Sequence, residues 1–321
     1  MLVTIGERQG IQAVVSTIGA TLVSLLVPDR TGRMRDVVLG MGTEDGCRSN
    51  TNYLGASVGR FANRIAGAAF ELDGRRCLLD ANEGANSLHG GSASWHTRDW
   101  ALAARDDDSV TLALESADGD QGYPGALHVT ARYRIEGTTL KLVYEAVSET
   151  TTIVNITNHS YFNLNGHDAG SVMQHSLRLD AHGYLPVDGE LIPTGEIAPV
   201  TGTPFDFGSE RTLVADVPPG GFDHCIVLAP RTGCEHAARL TGDESGITMD
   251  LFTTQPGVQF YSGNVLDEPQ GKGGARYGRR DALCLEAELF PDAVHHPEWP
   301  SPVVEAGQPW RWETHWSFGL R

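Results

Sequence analysis

The sequence predicts an all-β protein, built as a large antiparallel β-sandwich, on three observations. Apolar and polar residues alternate along many short segments, 38 glycines and 16 prolines punctuate the chain evenly, and no apolar stripe of helical period is sustained for a dozen residues. No shift of composition marks a linker, so residues 1–321 read as one domain. No repeat of roughly 40 to 50 residues points to a propeller. A chain of this length buries a substantial core without disulfide or metal staples.

The elements follow in order. The stretch GATLVSLLVPDRTGRMRDVVLG reads as two strands reversed at Pro28, Asp29 and Gly32, residue types that turns favour. Further on, Val129, Ala131, Tyr133 and Ile135 share one face of a strand. Leu140, Leu142, Tyr144 and Ala146 repeat the period after Glu136 and Gly137, which predicts a hairpin. The C-terminal PWRWETHWSFG sets Trp310, Trp312, Thr314, Trp316 and Phe318 on one face. Burial against a facing sheet accounts for all five together, whereas a sugar-stacking platform would not need the full row.

Composition limits the partners. Lys and Arg total 24 against 41 Asp and Glu, a formal net charge of −17, which repels phosphate backbones and argues against nucleic acid. The five cysteines, Cys47, Cys77, Cys225, Cys234 and Cys284, are odd in number and lack C-x-x-C spacing. They read as free thiols of a reducing compartment, neither a disulfide framework nor a zinc site. MLVTIGERQG has no signal-peptide pattern, and no apolar run approaches the roughly 20 residues that span a bilayer. The expectation is a soluble cytoplasmic protein, monomer or homodimer, without a membrane partner.

Five polar clusters stand out: NRIAG from Asn63, SLHGG from Ser87, NHSYFNL from Asn158, QPGVQFYSGN from Gln255 and LEAELFPDA from Leu285. Donors, acceptors and flat aromatic rings alternate in them, a mixture suited to a ligand with hydroxyls on its edges and C–H groups on its faces, such as a sugar. Glu286 is notable by itself, because a carboxyl inside an apolar run is costly unless paired or catalytic. Taken by spacing alone, a histidine before two glycines, like His89, is more often a turn residue than a ligand, and His159 lies between these cases.

GRFANRIAG at 59–67, NSLHGG at 86–91, DGDQGYPG at 118–125, TNHSYFNL at 157–164, TTQPGVQFYSGN at 253–264 and CLEAELFPDAVHHPEWP at 284–300 together resemble the signatures of the aldose 1-epimerase (galactose mutarotase) family, in family order over nearly the whole chain. The resemblance implies a β-supersandwich and interconversion of the α and β anomers of a free hexose such as galactose or glucose, with no cofactor and no metal. It also implies roles: His159 protonates the ring oxygen and Glu286 takes the proton of the anomeric hydroxyl. Arg64 and His89 position substrate and support catalysis, and Asn63, Asp223 and Gln259 bind substrate.

The chemistry needs such residues in any case. Opening a hemiacetal removes a proton from O1 while another arrives on the ring oxygen, so an acid and a base are expected to face each other across the ring. Burial and neighbours can tune both toward neutrality, and Arg64 and His89 could steady charge developing on oxygen. The resemblance leads one to expect a glutamine at Glu288 and an asparagine near His295. Glu288, two residues from Glu286, is expected to point to the opposite face of the strand. Asn155 and Asn158 open N-x-S/T sequons, but glycans there would block the site. His295, His296 and Glu298 could be read as metal ligands, although adjacent histidines in a Pro-flanked loop rarely converge on one ion. The competing functions are a non-catalytic sugar-binding or sugar-sensing module, an epimerase of a phosphorylated hexose, and a glycoside hydrolase using Asp223 beside Glu286.

Overall fold

A computed structural model describes residues 1–7 and 10–321. Its largest sheet has nine strands, in the order Ala101–Arg105, Ser109–Ser116, Leu127–Glu136, Thr139–Ser148, Trp310–Leu320, Ile247–Thr253, Glu235–Thr241, Ser176–Leu179 and Arg211–Thr212. Every neighbouring pair is antiparallel. The predicted hairpin pairs Glu136 with Thr139 at its turn. Along the C-terminal strand Trp312, Thr314, Trp316 and Phe318 are buried with Trp310 half-buried, so that row faces the interior as expected.

A five-stranded antiparallel sheet runs Tyr161–Phe162, Leu283–Glu288, Gly257–Tyr261, Asp223–Leu228 and Ala181–Tyr184. A four-stranded sheet of Leu2–Gly6, Gln12–Ser16, Thr21–Pro28 and Met34–Asp36 lies at the N-terminal end. Its reversal is built as anticipated: Asp29 Oδ1 accepts from the backbone N–H groups of Thr31 and Arg33 at 2.8 and 3.1 Å. Among the described residues the one α-helix is Glu44–Arg48, with Thr43 Oγ1 accepting from Gly46 N–H at 3.1 Å as its N-cap.

One apolar core draws on all three sheets: Val15 and Leu25, Leu112 and Trp316, Ile226, Phe260 and Leu285 all belong to it. Strand side chains alternate between faces, and this fixes what the other side of the five-stranded sheet presents. Phe162, Ile226, Val258, Phe260, Leu283 and Leu285 enter the core. The intervening Tyr161, Asp223, Gln259, Tyr261 and Glu286 line a cavity on the far face.

Much of the polar sequence seals the framework over that face. Arg60, 1% exposed, donates to the carbonyls of Pro124, Gly125, Ser116 and Ala117 at 2.9, 2.6, 3.1 and 3.2 Å. It also donates to Ser116 Oγ and Thr152 Oγ1 at 2.7 and 3.3 Å. Asn155 joins Ala62 O and Leu289 N–H at 3.2 and 2.9 Å, and Asn158 donates to Gly55 O at 2.8 Å. Both sequon asparagines are buried with their amides engaged, which leaves neither free for a glycan.

Candidate active site

The cavity holds about 470 Å³ and is lined by Tyr53, Asn63, Arg64, Glu83, His89, His159, Tyr161, Asp223, Gln259, Tyr261 and Glu286 among others. The sequence clusters at 63, 89, 159, 259 and 286 therefore converge, although they are spread over more than two thirds of the chain. A second depression of about 420 Å³ lies by Arg239, Asp250, Glu210 and Arg321. Its charged groups are paired with one another, Arg239 to Asp250 at 2.7 Å and Arg321 to Glu210 at 2.6 Å, and it contains no buried acid or base.

The loop residues are held in shape by backbone conformations that few side chains favour. Asn63 and His89 have φ of 64° and 52°. Gly90 follows at φ 85°, where an added Cβ would meet Gly59 O at 2.1 Å, so SLHGG needs glycine there. The two loops clasp each other: His89 N–H donates to Asn63 O at 3.0 Å and Asn63 N–H donates to His89 Nδ1 at 3.1 Å. An amide N–H only donates, so Nδ1 is the acceptor and the hydrogen of the neutral ring sits on Nε2. The ring stays neutral because burial, with His159 and Arg64 nearby, holds its pKa well below the usual histidine range.

Arg64 is clamped by a carboxylate that the sequence did not single out. Its Nε and Nη2 donate to Glu83 at 2.6 and 2.8 Å, a bidentate pair with the arginine side chain 10% exposed. Glu83 stands in DANEGANSLHGG, three residues before Asn86, and its position in that loop was the available signal. The remaining guanidinium nitrogen, Nη1, has no protein partner among the described hydrogen bonds. Arg64→Ala is expected to raise KM by roughly tenfold or more, the worth of one hydrogen bond from a charged donor. Steady-state polarimetry measures this, and unchanged KM and kcat would remove Arg64 from the site.

His159 sits between two near-parallel tyrosine rings, Tyr53 at 5.8 Å and Tyr161 at 5.0 Å between centroids, with Tyr261 edge-on at 6.4 Å. Tyr53, at φ 57°, also packs on His89 and His96 at 4.8 and 4.4 Å. It was missed in TNYLG, where nothing local distinguishes it from a loop aromatic. At the other edge of the imidazole the strand Leu283–Glu288 supplies successive residues of one face: Cys284 Sγ lies 3.5 Å from Nδ1 and Glu286 Oε2 lies 3.6 Å from Nε2.

That distance corrects the expectation of an acid and a base on opposite sides of a ring, because no sugar fits between atoms 3.6 Å apart. The physical reason is that O1 and the ring oxygen hang on the same carbon, so the groups serving them must be neighbours. Burial raises the Glu286 pKa well above the usual carboxyl range, with Glu288 and Asp223 adding to it and Arg64 opposing, and burial lowers that of His159 to about 4. Burial therefore pushes each member of the pair toward its neutral form. Glu286 Oε2 and Gln259 Oε1 are among the buried side-chain atoms of the described residues that have no hydrogen-bond partner, and both residues line the cavity.

Asp223 Oδ1 accepts from Gln259 Nε2 at 2.6 Å, and burial raises its pKa. Asn63 lines the cavity, but its amide is engaged: Nδ2 donates to Glu288 Oε1 at 2.9 Å and Oδ1 accepts from Arg64 N–H at 2.9 Å. Glu288 corrects a second expectation. It lies on the same side as Glu286, because alternation puts residues i and i+2 of a strand on one face. His295 and His296 are tied to carboxylates, Nδ1 of each lying 2.7 Å from Asp292 and 3.2 Å from Glu298 respectively. They do not converge with one another as metal ligands. His159, Cys284 and Glu286 do have potential ligand atoms within 4.8 Å of one another.

An all-β scaffold with a buried carboxyl–imidazole pair on the floor of a polar cavity suits an enzyme that moves protons on a polar ligand. Comparison with known proteins narrows the class. The sequence pattern of aldose 1-epimerases matches residues 1–317. The chain is 41% identical to galactose mutarotase of Bos taurus over 306 residues, covering 94% of this chain and 89% of that one. It is 36% identical to aldose 1-epimerase of Escherichia coli K12 over 310 residues, with the same coverage. A crystal structure of an aldose epimerase homologue from C. elegans superposes with a TM-score of 0.94 at 29% identity, covering 100% of this chain and 99% of that one. The chain belongs to the aldose 1-epimerase family, and it is an isomerase.

Proposed function

We propose that Glu286 and His159 carry out the anomer interconversion of this aldose 1-epimerase on a free, uncharged hexose such as galactose or glucose. The observation that carries the reading is the close pair itself, Glu286 Oε2 and His159 Nε2 at 3.6 Å on the cavity floor. In the working form the shared proton sits on His159. Glu286 takes the proton from O1 as His159 Nε2 delivers its own to the ring oxygen; the bond between C1 and the ring oxygen breaks and O1 becomes the aldehyde oxygen. After rotation about C1–C2 the protonated Glu286 returns its proton to O1, and neutral His159 takes back the proton of the C5 hydroxyl as the ring closes on the other face.

The surroundings suit these steps. His89 Nε2–H is an uncharged donor for a substrate oxygen, and Asp223 and Gln259 can bind hydroxyls at the end of the sugar that does not react. The cavity's arginine is already paired with Glu83 while Asp223 and Glu286 contribute carboxyls, so among the described residues lining the cavity a phosphorylated sugar would meet no unpaired counter-charge. Polarimetry of freshly dissolved α-glucose and α-galactose, with and without protein, tests the activity directly.

The route is tested by the anomeric oxygen. Sugar labelled with heavy oxygen at C1 is expected to interconvert many times in unlabelled water while keeping its label, apart from slow aldehyde hydration, and a methyl glycoside, with no proton on O1, is expected to bind without turnover. A glycosidase breaks the exocyclic bond and takes its oxygen from water. Enzyme-dependent washout at the epimerisation rate, or release of methanol, would overturn ring opening.

A further inference from the structure

The carboxyl of Glu288 is fully buried, 0% exposed, beside the proposed base and unused by the proton transfers above. We propose that Glu288 is a positioning residue that works as a neutral carboxylic acid: it braces Asn63, and through it His89, and it keeps a second negative charge away from Glu286. Loss of its proton then acts as an alkaline switch that turns the enzyme down. The inference rests on the Glu286–His159 reading of the site.

Geometry carries it. Oε1 accepts from Asn63 Nδ2 at 2.9 Å, whereas Oε2 is buried with no hydrogen-bond partner among the described residues. The brace continues from Asn63 into His89 through the paired bonds of 3.0 and 3.1 Å. The groups facing Glu288 leave no room for a lasting charge. Its own strand brings Glu286, and the strand Asp223–Leu228 brings Asp223 and the Cys225 thiol, whose pKa the Glu288 charge would raise. Its cross-strand neighbour is Gly257, which has no side chain. Among the described residues Arg64 is the cation that acts on it, and that guanidinium already holds Glu83 at 2.6 Å. Three carboxyls around one engaged cation cannot all ionise in a buried site. Consistently, burial pushes the Glu288 pKa up to about 8, with Asp223 adding to the rise while the Asn63 bond and Arg64 oppose it.

Two consequences follow with defined signs. A carboxyl whose folded pKa lies above its unfolded value holds a proton that unfolding releases, so it costs stability as pH rises from about 4.5 toward 8, and nothing below that window. In catalysis, an ionised Glu288 sets a second anion beside Glu286 and raises its pKa further, which holds the shared proton on Glu286 and depletes the working form, so turnover falls as the carboxyl ionises.

Glu288→Gln, an uncharged isostere of the acid form, tests both. The enzymatic rate of the parent, corrected for uncatalysed mutarotation, is expected to fall about tenfold between pH 7 and pH 9, as for a single ionisation near 8, and the glutamine variant less than twofold. The melting temperature of the variant is expected to rise relative to the parent as pH goes from 5 to 8.5. Glu288→Ala, which removes the acceptor of Asn63, is expected to raise KM across the whole pH range, separating the brace from the charge. Equal alkaline losses in parent and glutamine variant, a melting difference that does not change with pH, or an unaltered KM in the alanine variant would each overturn the proposal. So would a glutamine variant that fails to fold, since the amide reproduces the shape and neutrality of the acid. The melting experiment needs no reaction at all, so it stands or falls separately from the assignment of Glu286 and His159.

Discussion

Glu286→Gln is expected to lower kcat by at least about a hundredfold while leaving the protein folded, because the amide keeps the shape of the carboxyl and removes its ability to accept a proton. The fold should tolerate it: Glu286 is 2% exposed and its pKa is raised by burial, so a neutral side chain at this position relieves a desolvation cost. His159→Asn is expected to lose a comparable factor, since the ring flanked by Tyr53 and Tyr161 is the only partner within 3.6 Å that can pass a proton to Glu286 among the described ion-pairing groups. The double variant should be little worse than the worse single one, because two groups that exchange one proton act as a unit. Polarimetric progress curves on α-galactose measure all three. Near-parent turnover in either single variant, or fully multiplicative losses in the double, would break the assignment.

Arg60→Met is expected to cost on the order of 3 kcal/mol or more of stability, the scale for removing one member of a buried charged network. It should lower the melting temperature by several degrees at least. The guanidinium joins the backbone at Ser116, Ala117, Pro124 and Gly125 to Thr152, so its loss strands several buried acceptors together. Burial depresses the arginine's own pKa to about 10, with Asp120 opposing, which leaves it charged throughout the neutral range. Calorimetry checks the prediction, and a melting temperature within a degree of the parent would show that water or neighbouring donors replace the network.

The strands were legible because their evidence is local. A two-residue period is written into Val129–Ile135 and Trp310–Phe318, and the facing sheet only confirms which side is wet. The site was legible to the extent that its residues sit in polar clusters, which brought out Asn63, Arg64, His89, His159, Gln259 and Glu286, while Asp223 came only from the family resemblance. Other contributors were invisible because their meaning depends on a distant partner: Glu83 acts through Arg64 and Arg60 through carbonyls some 60 residues away, while the tie of Asn63 to Glu288, 225 positions on, could not be read either. The asparagines of the TNHSYFNL region show the converse. Asn158 and Asn163 sit in a cluster that reads like a ligand-binding run, yet they pin loops, and Asn163 bridges Gly170 O and Asp281 O at 2.7 and 2.9 Å. The misreading of Glu288 came from counting the pleat wrongly, since a side chain two residues along a strand returns to the same face.

The enclosure of His159 and Glu286 by tyrosines has a kinetic meaning. In the proposed route, ring opening moves one hydrogen from sugar to carboxyl and one from imidazole to sugar, and closure returns both, so each round would end with the catalytic groups charged as they began. No hydrogen ion has to be delivered from bulk solvent before the next sugar enters. Uncatalysed anomerisation depends on whatever acids and bases the medium supplies; an enzyme that recycles its own hydrogen should be indifferent to them, with turnover at fixed pH and ionic strength unchanged as phosphate or imidazole buffer is made more concentrated.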